Sequence, residues 1–292
     1  MNRMGKIKIL ILFAVVSICL ITYNMVYSDN NKPVFAVQNV KNASLFEIAS
    51  ESNSGYTYIL VANFSIVSVC VPAIAADMKL GLPRLIESIQ KQTHVPLEVI
   101  IVMSNVNSEQ CKIFDEKLKL ILTSTKLRLI CVLNLQYQSI SRQNASALAQ
   151  GTIISFIDAD DIMYPNRIEV IVEMFTKYKP FMVLHGFSKN MEPPPNNKWK
   201  EARVLDGIEL HDIANKTLSI HLWILAEMMH SQVSVLRYVC TLISFRTSKE
   251  FYRIEDAWYI RDVISYFGRH NNTAVFINTP LARHLPREYQ IG

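Results

Sequence analysis

The sequence lacks the marks of several large classes of protein. It has no block of lysine and arginine with interleaved aromatics, so nucleic-acid binding gains no support despite a net charge of +5. Arg3, Lys6 and Lys8 carry part of that charge at the extreme N-terminus. No C-x-x-C pair or other metal-ligand spacing occurs among the five cysteines. No glycine-rich phosphate loop follows the first apolar strand, which argues against a nucleotidyltransferase. No small-x-small cleavage site follows the N-terminal apolar run, so an uncleaved signal anchor is favoured over a signal peptide.

What the chain does have is 292 residues, half of them hydrophobic. That is enough for one α/β domain plus an anchor or tail. Residues 9–21 are almost continuously apolar, and the run stretches through Met25 and Val26. It approaches the ~20 residues of a membrane span, and its basic N-terminal flank keeps the N-terminus cytosolic. The expected organisation is a cytosolic tail (residues 1–8), a transmembrane signal anchor (9–27), a polar stem (28–56) and a catalytic domain (57–292). Such a chain is a single-pass type II membrane protein. Its domain is lumenal or extracytosolic, in the Golgi or endoplasmic reticulum if the source is eukaryotic. Five sequons, at Asn42, Asn63, Asn144, Asn215 and Asn271, permit a glycoprotein there. Cys19 falls in the anchor. Cys70 and Cys131 sit in strand-like runs and read as small buried hydrophobes, and a disulfide among Cys70, Cys111, Cys131 and Cys240 stays open.

The stretch that organises the rest is Ile153-Ile154-Ser155-Phe156-Ile157 running into Asp158-Ala159-Asp160-Asp161. A short apolar run with a sharp polar switch reads as a buried strand. Its acids then lie at the strand's C-terminal end, where ligands bind in open α/β sheets. Asp158 and Asp160 are two apart and can point the same way. Like charges so close repel unless a cation lies between them, and Mg²⁺ or Mn²⁺ with substrate phosphates suits such carboxylates. The alternative is a polar loop capping the helix after Pro165, a role that suits Asp161.

Ser141-Arg142-Gln143-Asn144-Ala145, Gly151, the Asp158–Asp161 run and Pro165 together resemble the core of glycosyltransferase family 2, of the GT-A fold. Upstream, residues 67–72 resemble that family's first strand, 85–93 its first helix and 96–102 its second strand. The resemblance implies a mixed, mostly parallel sheet flanked by helices. It implies a metal-dependent, inverting transfer of sugar from a nucleotide-diphospho-sugar to a hydroxyl of a glycan, protein or lipid.

Further readings rest on this resemblance. Ser141 caps a short helix whose first turn offers Arg142 and Asn144 to a diphosphate. The second strand ends in Met103-Ser104-Asn105, where the family usually has an acid contacting the base; Ser104 and Asn105 can still hydrogen-bond one. His230 falls in a segment that lines the acceptor side in relatives. Glu255-Asp256 opens the last helix. Such a pair is ordinarily capping chemistry, but the family has its catalytic base here, so Asp256 is the candidate base with Glu255 orienting it. His284, in the tail after residue 277, is a candidate further metal ligand. The missing acid after strand two keeps open a catalytically inactive module that binds a glycan or nucleotide sugar.

Overall fold

The computed structural model describes residues 64–188, 202–206, 233–251, 254–268 and 272–284, together with the backbone of four strands nearer the N-terminus. The chain divides into two compact units, Met1–Asn63 and Phe64–Gly292. In the first, β1 (Tyr23–Tyr27) pairs antiparallel with β2 (Pro33–Val37), and β3 (Leu45–Ser52) with β4 (Gly55–Ala62). The expected stem thus carries strands, and β4 runs through the expected domain start at Thr57. Tyr56, Tyr58, Ile59 and Val61 favour such a strand locally. Residues 9–22 of the proposed anchor lie outside the described residues, and residues 23–27 form β1 instead of a helix end. Among the described residues no helix is long and apolar enough to cross a membrane.

Among its described residues the second unit is built on one nine-stranded sheet. Its strands are β5 (Val67–Ile74), β6 (Glu98–Ser104), β7 (Lys126–Val132), β8 (Ile153–Phe156), β9 (Ile162–Met163), β10 (Met182–Ser188), β11 (Ala202–Leu205), β12 (Val233–Leu236) and β13 (Ala274–Arg283). The order is β11-β13-β10-β12-β8-β5-β6-β7, with β9 on β13. Pairs β8/β5, β5/β6, β6/β7 and β10/β13 are parallel, whereas β12, β11 and β9 run antiparallel to their neighbours. This is the mostly parallel, helix-flanked sheet that the sequence led us to expect. Among the described residues the α-helices are α1 (Gly81–Gln90), α2 (Ser108–Ile121), α3 (Gln138–Leu148), α4 (Arg167–Tyr178), α5 (Arg237–Leu242) and α6 (Glu255–Gly268).

β5, β6 and β8 are buried almost throughout, as parallel strands covered on both faces must be. Pro72 does not stop β5. The ladder with β8 ends at Cys70↔Phe156, while that with β6 continues to Ile74↔Ser104. Pro72 lies two residues beyond Cys70, so its missing N–H faces the side that β8 no longer covers. β13 is a larger departure, because the expected tail is an interior strand. Pro280 interrupts its apolar run, and the register against β10 shifts around Gly186↔Pro280. An irregularity there absorbs a proline that a regular ladder would reject. Cys131 on β7 is disulfide-bonded to Cys111 on α2 and is not the free hydrophobe expected; Cys70 and Cys240 are free and buried.

Glu98 ties the bottom of the sheet together. It is buried, accepts hydrogen bonds from Ser68 Oγ (2.8 Å) and Gln150 N (2.7 Å), and pairs with Arg128 at 3.2 Å. Gly151 N donates to Ser68 Oγ at 2.8 Å. A Cβ on Gly151 would come within 2.6 Å of Ser68 N and 2.9 Å of Ile66 O, both backbone atoms. Only glycine fits between α3 and β8, and this junction sets the register of the strand that delivers the aspartates. Gly151→Ala should therefore destabilise the fold by about 1–3 kcal/mol in urea unfolding, as overpacking does. Gly186→Ala, whose Cβ would meet its neighbours at 3.5 Å, should cost far less.

Candidate active site

The site is assembled where β8 ends. The strand stops at Phe156, and Ile157-Asp158-Ala159-Asp160-Asp161 turns away, closed by Asp161 N donating to Asp158 O at 3.1 Å. The start of α1 lies close against this turn. A Cβ on Gly81 would sit 3.0 Å from Ala159 O and 3.1 Å from Asp160 Cα. α1 and the segment just after it pin the turn's exit. Ser88 Oγ accepts from Met163 N (3.0 Å), and the Gln92 amide bonds Tyr164 O (2.8 Å) and Ile168 N (3.0 Å). A loop tied this closely to a helix is stiff, which is how a site should hold charged groups.

Arg142 reaches the turn from α3. Its Nη2 lies 2.6 Å from Asp158 Oδ1 and 3.3 Å from Gln138 Oε1, and its Nη1 lies 3.4 Å from Glu255 Oε1 on α6. Burial pulls the guanidinium's pKa down, but the fields of Asp158, Asp256 and Glu255 outweigh it and hold it above the ordinary value. The structure thus unites four residues singled out in the sequence: Arg142, Asp158, Glu255 and Asp256. It also corrects their setting. Ser141 does not cap α3, whose N-cap is Tyr137, and Ser141 is buried inside the helix. Arg142 is consequently in the second turn, 2 % exposed and engaged with carboxylates. Asn144 lies on the exposed side of α3. His230 falls outside the described residues.

Asp161 is no surface cap. It is fully buried and accepts from His284 Nδ1 at 2.9 Å, at the end of β13. Burial raises its pKa to about 6, opposed by the His284 hydrogen bond and reinforced by Asp158 and Asp160. The same hydrogen bond lifts His284 above its ordinary value against the pull of burial. Two further groups escape a reading of the sequence. Arg167, fully buried in the first turn of α4, donates to Phe156 O (2.7 Å) and Ser155 Oγ (3.2 Å) beneath the turn. Burial lowers its pKa to about 9, with Asp161 and Asp158 pushing back, so it remains a cation at neutral pH. His185, buried on β10, is held neutral by burial and by the charge of Arg167. One sequence signal marks Arg167. A cation in the first turn of a helix opposes the macrodipole, yet Arg167 shares its stripe with the buried Ile171 and Met174.

Two strands along the same edge, Ser104 closes β6 with its hydroxyl buried and without a hydrogen-bond partner. Asn105 follows, exposed and in the left-handed region at φ 62°. Both therefore sit at the C-terminal edge, as the sequence suggested.

The donor set can be weighed for a metal. Among the described residues no three His, Cys, Asp or Glu side chains form a ready cage. Asp158 is taken by Arg142 and His284 by Asp161, so the expected Asp158–Asp160–His284 triad is not arranged as ligands. Asp160 is buried as well, 6 % exposed, and His284 lies within its field. Mg²⁺ and Mn²⁺ need only one or two carboxylates when phosphates and water complete the shell. The residues fit a cation shared with a diphosphate, and do not fit one enclosed by protein alone.

Asp161 and His284 give the site a pH signature. Both bind protons more tightly folded than unfolded, so stability falls as pH rises. The cost of ionising buried Asp161 is absent below about 4 and complete above about 6, and the His284 contribution is lost as pH climbs through its raised pKa. Above about pH 6.5, where the buried neutral His185 no longer gains from rising pH, thermal melts should show Tm declining as His284 loses its proton, and Asp161→Asn should flatten that slope.

With this geometry in hand, the chain can be compared with known proteins. The family model for glycosyl transferase family 2 matches residues 68–231, more than half of the chain. Among solved structures, S. aureus TarS in complex with UDP-GlcNAc superposes with a TM-score of 0.55 at 18 % identity, covering 76 % of this chain and 59 % of that one. Glucosyl-3-phosphoglycerate synthase from Mycobacterium tuberculosis, in complex with Mn²⁺, UDP and glucosyl-3-phosphoglycerate, superposes with a TM-score of 0.50 at 15 % identity, covering 77 % and 74 %. The chain spans about 60 % of the TarS 1-349 chain bound to UDP. No curated protein sequence matches it significantly. Matched across its central sheet and the aspartate turn, the chain belongs to glycosyl transferase family 2 and has the GT-A fold.

Proposed function

We propose that this protein transfers a sugar from a nucleotide-diphospho-sugar to an acceptor hydroxyl, with inversion at the anomeric carbon. The observation that carries this reading is the joining of the aspartate turn to the Glu255-Asp256 pair through Arg142. The donor lies along the C-terminal edge of the sheet, its nucleoside toward Ser104 and Asn105 and its diphosphate toward Asp160. A divalent cation held by Asp160 and the phosphates, with His284 as a further ligand once released from Asp161, would neutralise charge on the leaving group. The UDP and Mn²⁺ in complexes of structural neighbours support that choice.

The chain's own groups supply the remainder. An acceptor hydroxyl has a high pKa, so a base must take its proton as the new bond forms. Asp256 lies in the first turn of α6, half-buried, with Glu255 turned inward beside it. Asp158 is neutralised by Arg142 and cannot serve equally well. Asp256 receives the proton while the diphosphate departs on the opposite side. A second reading, an inactive module that only binds nucleotide sugar, is favoured by one feature: β6 ends in a serine where the family usually has an acid.

Hydrolysis of a panel of UDP-sugars with Mn²⁺ tests both readings. The wild type should release UDP slowly. Asp256→Asn should lower turnover by a factor on the order of 10² or more with donor affinity unchanged. Asp160→Ala should abolish Mn²⁺-dependent donor binding in thermal shift. Binding without hydrolysis would favour the inactive module, and no binding would remove both.

We also infer a membrane-anchored chain with its domain on the non-cytosolic side. The apolar run at residues 9–21, its basic flank and the Cys111–Cys131 disulfide all support that compartment. Full-length protein should remain in the pellet after alkaline carbonate extraction, and its Cys111 and Cys131 should resist alkylation until reduced. Release by carbonate would overturn the anchor.

A further inference from the structure

The sequence assigned Arg142 to the diphosphate, and its surroundings assign it elsewhere. It is among the largest fully buried side chains of the described residues. Both its Nη atoms are occupied by oxygen acceptors, and the remaining Nε is buried without a hydrogen-bond partner. The shortest of these contacts is the one with Asp158, at 2.6 Å. The guanidinium spans two elements far apart in the chain. Asp158 belongs to the turn after β8, 16 residues away in sequence, and Glu255 to the start of α6, 113 residues away.

An aromatic layer supports the same junction. Phe156, the last residue of β8, meets Phe245 edge-on at 5.4 Å and Tyr259 of α6 at 6.2 Å. Phe245 and Tyr259 stack at 3.9 Å with planes 7° apart, and Phe245 N donates to Gln143 Oε1 on α3 at 3.0 Å. Tyr259 is one helical turn beyond Glu255. The apolar contact fixes how far α6 lies from β8, and the ion pair fixes how α6 is rotated about its axis. Rotation decides where Asp256 points. Glu255 is 5 % exposed, and a carboxylate so buried needs a cation to remain there. Asp256 is its neighbour on α6, and the charge of Asp256 is felt at Arg142.

We propose that Arg142 is a positioning residue that registers the acceptor-side helix α6 against the donor-side aspartate turn, and that it does not contact the diphosphate. The roles it links rest on the glycosyltransferase reading above; the linkage itself does not. A planar fork suits this task, because two carboxylates approach it from fixed directions. Lysine at the same position keeps the charge and loses the geometry.

Two measurements test this. The first compares wild type with Arg142→Lys in Mn²⁺–UDP binding by calorimetry and in UDP-GlcNAc hydrolysis. The expected result is a UDP Kd and a donor KM within about threefold of wild type and a kcat lower by a factor on the order of 10², the scale of a small misalignment. Loss of UDP affinity in step with turnover would mean direct phosphate contact, and unchanged kcat would mean no positioning role; either overturns the proposal. The second measurement needs no donor. Asp158→Asn and Glu255→Gln are combined in a stability cycle, where they should deviate from additivity in Tm by about 3 °C because they share one cation. In an Arg142→Met background the deviation should vanish. Additive behaviour with Arg142 present would overturn the linkage. If the wild type neither binds UDP nor hydrolyses any UDP-sugar, the functional reading fails and the stability cycle alone decides the linkage.

Discussion

Carboxylates collected at the end of a buried strand repel one another, and burial penalises each of them further. The architecture around β8 answers that cost. Arg142 arrives from α3, Arg167 from α4 and His284 from β13, each drawn to a different carboxylate or peptide group of one turn. Removing one partner from such a set leaves a buried charge uncompensated, at about 3–5 kcal/mol. Elements far apart in sequence are thereby held to common positions. The antiparallel β12, inserted between β8 and β10, and the parallel β13 beside β10 are what bring His284 back to a turn formed 123 residues earlier.

The C-terminal edge of the sheet changes in chemistry along its length. Around the end of β8 gather Asp158, Asp160, Asp161, Arg142 and His284. At the end of β6 the corresponding position is a neutral hydroxyl, Ser104, buried and without a partner. A ligand that is neutral at one end and anionic at the other matches this division, and a nucleoside joined to a diphosphate is such a ligand. A hydroxyl both donates and accepts, so Ser104 can pair with either kind of group on a base edge. It cannot supply the charge that a carboxylate would.

Much of this is legible in the sequence because it is local. The apolar run into Asp158 marks β8, the spacing of Leu85, Ile86 and Ile89 marks α1, and Asn107 with Gln110 makes the capping box that opens α2. What escapes depends on partners distant in sequence. Arg142 resembles a helix-terminal phosphate contact because its carboxylates are 16 and 113 residues away. Asp161 resembles a cap because its imidazole lies 123 residues on. β13 reads as a tail because Pro280 breaks its apolar run, and the register shift against β10 that accommodates it involves a strand far away in the sequence. Cys131 sits in a run of strand formers, and nothing nearby reveals that it faces Cys111 across the sheet edge.

Asp161 and His284 hold a proton between them, so as a hydrogen-bonded pair they contribute no net charge whether it lies on the acid or on the ring. Arg142 is shared by Asp158 and Glu255, and Arg167 lies within the fields of Asp161 and Asp158. The buried arginines thus do more than offset a desolvation cost. They draw the aspartate turn and the start of α6 into one charge network, so removing a carboxylate on one side should be felt on the other.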